Sequence, residues 1–232
     1  MDSPAITLDT CTIFHKLHEK FGRNLELSLT SAESLKRVEL KARSFIRIGE
    51  LFPTLYELSE TQLEISQIFR ELFADSICAL YFAACALDRP ALMALRRVLE
   101  LGIAIVYLWD LPHAFYAWKH HEVDLNFADM LAHLDSPGYR SYVAHSLQIA
   151  EIRLIDIHRA NTLYGNLSDT VHGKLKTFET PLDTAFNHSG SDWEESTHVA
   201  SEVCDVLLSL WQARFLGLAE ALVEKMPQLQ AL

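Results

Sequence analysis

The stretch from Pro90 to Pro112, PALMALRRVLELGIAIVYLWDLP, constrains this chain more than any other. Pro90 is tolerated in a first helical turn, Ala91, Leu92, Ala94 and Leu95 are strong helix formers, and Leu111-Pro112 stops a helix. Its apolar positions Leu92, Leu95, Leu99, Ile103, Val106 and Leu108 cover a wider arc than the single stripe of a surface helix. A helix apolar nearly all round must be surrounded by other helices. Two charges interrupt that surface, Arg96 and Glu100, four residues apart and so able to face each other. They are either a partly buried ion pair or groups aimed into an interhelical cavity where a ligand binds.

The rest of the chain reads as partners for that helix. Leu8 to Phe21 has an apolar face. Thr30-Ser31-Ala32-Glu33 matches a capping box and opens a helix expected to end near Leu51, before Phe52-Pro53. A second box, Ser59-x-x-Gln62, opens a helix reaching Leu87, whose half DSICALYFAACAL is small enough to pack closely on Pro90 to Pro112 across a short turn. These two form a central apolar hairpin. After Pro112 comes HAFYAWKHHEVDLNFADMLAHL, with breaks expected near Glu122 to Leu125 and a turn at Asp135-Ser136-Pro137-Gly138. A long helix is expected from Ser141 to about His172, a loop from Thr177 to Ser191, and a last helix, capped by Ser191-x-x-Glu194, from Asp192 to about Met226. The fold class is therefore all-α, a multi-helix bundle of about seven helices. One domain, 1–232, is expected, with N-terminal helices in 1–58 packing on a core of 59–226.

Charge and cysteine usage exclude several function classes. A net charge of −11 argues against a generic nucleic-acid binder, which needs surplus cations to displace counterions. The local exception is Lys36, Arg43 and Arg47, aligned on one face with Arg37 and Lys41 beside them. This is either a solvated charged face or a contact for RNA, a nucleotide or an acidic partner. Cys11, Cys78, Cys85 and Cys204 have no CxxC spacing, so zinc ribbons and thiol redox motifs are not indicated. No uncharged apolar run reaches membrane-spanning length, and MDSPAITLDT lacks the features of a secretory leader, so a cytoplasmic protein away from membranes is expected.

Metal readings are weak. His15 and His18, or His113, His120, His121 and Glu122, lack a second ligand pair at fixed spacing. Glu195-x-x-His198 has the signature of a carboxylate-bridged dimetal bundle, but its counterpart Asp169-x-x-His172 carries Asp for Glu; Glu71 and Glu100 would add carboxylates. No metal or cofactor is expected. A polar stripe, His158, Asn161, Gly165, Ser168 and His172, marks either solvent or a cleft.

LRRVLELGIAIVYLWDLP, the Trp118 segment with FADMLAHL, and YGNLSDTVHG together resemble a bacterial helical family related to the HEPN domain, over most of residues 60–175. The resemblance implies a helical bundle that dimerises, with a cleft shared by two protomers. It also implies RNA or nucleotides as ligands, metal-independent ribonuclease activity in many members, bacterial defence or toxin biology, and a protein partner from the same operon. The family motif is an Arg, four to six residues, then a His. His172, in LSDTVHG, matches the histidine best, but positions 165–167 hold Gly165, Asn166 and Leu167 where the Arg would stand. Arg140-SYVA-His145 and Arg153-LIDI-His158 also fit the spacing, and the second shares the face of His172. In such a site His172 or His158 would move a proton while Arg153 or Arg159 stabilised charge on a phosphate, with Ser168 on the same face. Arg96, Glu100, Lys36, Arg43 and Arg47 are the candidate ligand contacts. The other expectation is a helical interaction module without catalysis.

Overall fold

The computed structural model describes residues 12–30, 32–171 and 186–231. Those residues form eleven α-helical segments and a short 3-10 turn, with no strand among them. The helices are α1 (Thr12–Thr30), α2 (Ala32–Leu55), α3 (Glu60–Ser66), α4 (Ile68–Ala84), α5 (Asp88–Asp110), α6 (Pro112–Lys119), α7 (Phe127–Asp135), α8 (Pro137–Ser146), α9 (Ile157–Val171), α10 (Gly190–Arg214) and α11 (Leu218–Lys225).

α5 lies at the centre. It forms the expected hairpin with α4, and α10, α9 and α7 also pack on it. The hairpin turn is tight because α4 ends on Ala86 in the left-handed region, with the Leu87 amide bonded back to Phe82 at 2.8 Å. Phe52 of α2 meets Phe69 of α4, Trp109 of α5 and Phe215 beyond α10 edge to face, with centroids 4.7–5.2 Å apart. Phe45 and Phe69 both meet Trp211 in the same way. These rings tie α2, α4, α5 and the α10 end into one core.

The expected helices are divided further than their apolar patterns indicate. Gln67 separates α3 from α4 with 3-10 hydrogen bonds, its amide to Glu64 and its carbonyl to Arg70, both at 3.0 Å. The single helix expected from Ser141 is two. α8 ends at Ser146 with Gln148 left-handed and the Ile149 amide on the Ala144 carbonyl, a Schellman closure without glycine. The last helix breaks at Gly217, whose φ is 78°. Pro53 lies within the last turn of α2 instead of ending it early, since only one amide is lost there. Two capping assignments also change. Thr30 turns its hydroxyl back onto Leu27 at 2.6 Å instead of capping α2, and α10 is capped by Ser189, which accepts from the Asp192 amide, not by Ser191. The box at Ser59 and Gln62 forms as expected.

Candidate functional site

The turn at Gln148 sends the chain along α10 before α9 begins. Leu154 and Ile155, 3% and 6% exposed, anchor this extended passage between the exposed Arg153 and Asp156. Asp156 precedes α9 and accepts the Arg159 amide at 3.2 Å, so it caps the helix. That hydrogen bond holds its carboxyl below the ordinary carboxylate range, helped by the charges of Arg153 and His158. The Arg153 guanidinium stands 3.6 Å from Asp156, and Arg159 stands 3.3 Å from Glu202 of α10. Arg153, Asp156 and Arg159 line a cleft of about 270 Å³ with Val206, Ser209 and Ala213. Arg153 and the backbone amides of His158 and Arg159 thus meet at one carboxylate.

The remaining candidates on α9 do not join that cluster. Ser168 lies ten residues beyond His158, roughly 15 Å along the axis. It is buried, and its hydroxyl has no hydrogen-bond partner among the described residues. His172 lies outside the described residues, as does the motif segment that follows it.

Arg96 and Glu100 form the ion pair expected from their spacing, and the tertiary structure closes it. Arg96 Nε meets Glu100 Oε1 at 3.1 Å, the Tyr164 hydroxyl donates to the same oxygen at 2.8 Å, and the guanidinium donates to the hydroxyl at 2.7 Å. Tyr164 is stacked flat on Phe127, centroids 3.8 Å apart, which fixes α9 and α7 across α5. Burial first, then the bond to Glu100, pushes the Tyr164 phenol up. Both charges are satisfied within the protein, so the pair functions here as a junction of α5 and α9.

The basic face of α2 is also internally matched. Lys36 pairs with Glu33 at 3.0 Å, Arg43 with Glu39 at 2.5 Å and Arg47 with Glu50 at 2.6 Å, all on α2 and all substantially exposed. Lys41, by contrast, reaches α10, bonding Asp205 at 2.6 Å and Ser201 at 2.8 Å.

A buried network that periodicity alone does not indicate stands at the far end of α5. Asp110, its side chain 6% exposed, is held by two nitrogens of Arg214 at 2.8 and 2.5 Å and accepts from the Tyr139 hydroxyl at 2.6 Å. Burial and the adjacent carboxylate push the Tyr139 phenol far up. His133 lies against the Tyr139 and Tyr107 rings at 4.6 and 5.3 Å, and its Nε2 has no partner among the described residues. The only sequence trace is a charge pattern at two helix ends, Asp110 before Leu-Pro and Arg214 before Phe215.

Among the described residues no three His, Cys, Asp or Glu side chains gather as a metal-binding group. Glu100 is engaged with Arg96 and Tyr164, and among the described residues Glu71, Glu195 and His198 belong to no such group. Cys85 and Cys204 are buried free thiols, and Cys78 is an exposed one. No helix among the described residues is long and apolar enough to cross a membrane. Compared with models of protein families, with curated proteins and with solved structures, the chain matches none.

Proposed function

We propose that this chain is a HEPN-like helical protein of bacterial defence or toxin biology, and that it binds the phosphates of RNA or a nucleotide where α9 begins. The observation that carries the reading is the pair of guanidiniums, Arg153 and Arg159, lining one cleft with ion pairs of only 3.6 and 3.3 Å, next to His158 in the first turn of α9. Exposed pairs of that length contribute little, so a phosphate can displace Asp156 or Glu202 at small cost. Guanidinium suits the task because its planar fork matches phosphate oxygens.

Cleavage asks for more than binding. A ribose 2′-hydroxyl must lose a proton while the leaving oxygen gains one, and a single imidazole cannot occupy both positions at once. Asp156 is a poor base, since its carboxyl is held in the ionised form by the α9 amides. The two-protomer cleft implied by the family resemblance would bring a second His158. His172 is the other candidate for the proton transfer.

The test is fluorescence anisotropy of a labelled single-stranded RNA with full-length protein in EDTA. Arg153→Ala and Arg159→Ala are expected to weaken binding and to reduce the salt slope by about 0.7 for each phosphate no longer neutralised. Arg43→Ala and Arg47→Ala are expected to leave binding unchanged. His158→Ala or His172→Ala abolishing cleavage with binding retained would add ribonuclease activity. Binding indifferent to Arg153 and Arg159 would sink the reading. A second reading, a helical interaction module without catalysis, is favoured by the pairing of Lys36, Arg43 and Arg47 each with a carboxylate on its own helix.

A further inference from the structure

A groove that shares no lining residue with the cleft at the start of α9 runs between the α3–α4 line and α6. Its volume is about 430 Å³, within the range of small-molecule sites and larger than the α9–α10 cleft. Phe115 and the half-buried Trp118 of α6 form one wall, and Ile68 lies with Glu64, Gln67 and Glu71 along the α3–α4 side. The near-continuity of α3 and α4 across Gln67 places those three on one side at helical spacing. Leu63 and Tyr116, both exposed, extend the apolar surface beyond the groove.

The protein's own Lys119 shows what this lining accepts. Its ammonium lies over the Phe115 ring, 5.7 Å from the centroid, and bonds Glu64 at 2.5 Å. An ammonium between an aromatic face and a carboxylate is stabilised by both. Glu71 repeats the carboxylate two turns along the wall, and Trp118 supplies a second, larger aromatic surface on the other side. Glu71 has no short ion pair. Its nearest cation, Arg97, is 3.8 Å away and bonded to Asp75.

We propose that this groove is a binding site for an organic ammonium with an apolar body, an arylalkyl or alkyl amine. The body lies on Ile68, Phe115 and Trp118, and the ammonium is held at Glu71 with the Gln67 amide beside it. The lining selects the ligand: Lys119 is bonded to Glu64, and Glu71 is the second carboxylate over the apolar floor, with the His121 imidazole completing the polar lining. The site is independent of the phosphate reading.

The test is calorimetric titration of the full chain with three probes of one shape: 2-phenylethylammonium, 2-phenylethanol and phenylacetate. The ammonium is expected to bind saturably, about three- to tenfold tighter than the alcohol, with phenylacetate weakest. Glu71→Gln is expected to remove that advantage and leave the alcohol's affinity unchanged, whereas Trp118→Leu weakens both. Circular dichroism of each variant checks that the fold persists. Equal affinity for the three probes, no saturation up to about 10 mM, or an unchanged ammonium affinity in both variants would overturn the proposal. So would tight binding of a basic amphipathic peptide without binding of the amine, which assigns the groove to a protein. Self-association abolished by Trp118→Leu would assign it to a second copy of this chain.

Discussion

Asp110 carries more consequence than any other ionisable residue described. It accepts from two residues brought from different helices, and among the described residues its charge is compensated by Arg214. Removing one member of a buried pair strands the other in a poorly solvated site. Asp110→Ala is therefore expected to cost about 3–5 kcal/mol, read from the urea midpoint at constant slope. Tyr139→Phe is expected to cost about 1 kcal/mol, since it removes one hydrogen bond and leaves the ion pair intact. His133, next to this network, is affected by pH. Burial lowers its folded pKa, and Asp110 offsets only part of that. A depressed folded pKa means that the unfolded chain takes up the proton first. The contribution is therefore present above the unfolded imidazole value of about 6.5 and is lost as pH falls below it towards the folded value. Urea denaturation at pH 7.5 and about 5.5 should show wild type losing more stability than His133→Leu, with Tyr107, Tyr139 and Asp110 the groups facing the site.

At the scale of elements, the contact of α5 with α10 is set by one glycine. A Cβ on Gly102 would fall inside the Leu207 side chain, which is fully buried and has no room to withdraw. The same close approach lets Trp211 donate to the Gly102 carbonyl at 3.0 Å. Gly102→Ala is expected to cost about 1–3 kcal/mol through overpacking, with loss of Trp211 ring order visible in near-UV circular dichroism. Helix existence was legible from periodicity and proline, but several boundaries were not. The apolar spacing continues across Gln148 and Phe215, so only the backbone reveals that α8 closes on a left-handed glutamine and α10 on an extended phenylalanine. Glycine at position 148 would have signalled the break. Glutamine does not, because it rarely adopts that conformation and carries no local signal for it.

For the whole molecule, the open matter with functional weight is association. The proposed HEPN-like reading carries a homodimer with a shared cleft, since a composite cleavage site needs two copies. Light scattering at micromolar concentration is expected to return the dimer mass. A monomer would remove the composite site while leaving phosphate binding by Arg153 and Arg159 within one chain intact. The net charge of −11 sets the background for either outcome, since self-repulsion and weak generic RNA affinity both follow from it. Of the candidate site, Arg153 and Arg159 line one cleft, Ser168 stands apart, and Arg96 and Glu100 are consumed by Tyr164.

What the sequence determined by itself is what helical geometry makes local. The all-helical class, the α4–α5 hairpin, the box at Ser59 and the Arg96–Glu100 pair all depend on spacings of three or four residues, which a helix converts directly into proximity. The α2 ion pairs belong to the same group. The tertiary structure alone decided which side chains meet across elements: Asp110 with Arg214, Tyr164 with Arg96, Arg159 with Glu202, and Glu64 with Lys119. Those meetings depend on how helices cross and where each is cut. Both are set by packing among side chains far apart in sequence, where periodicity carries no register.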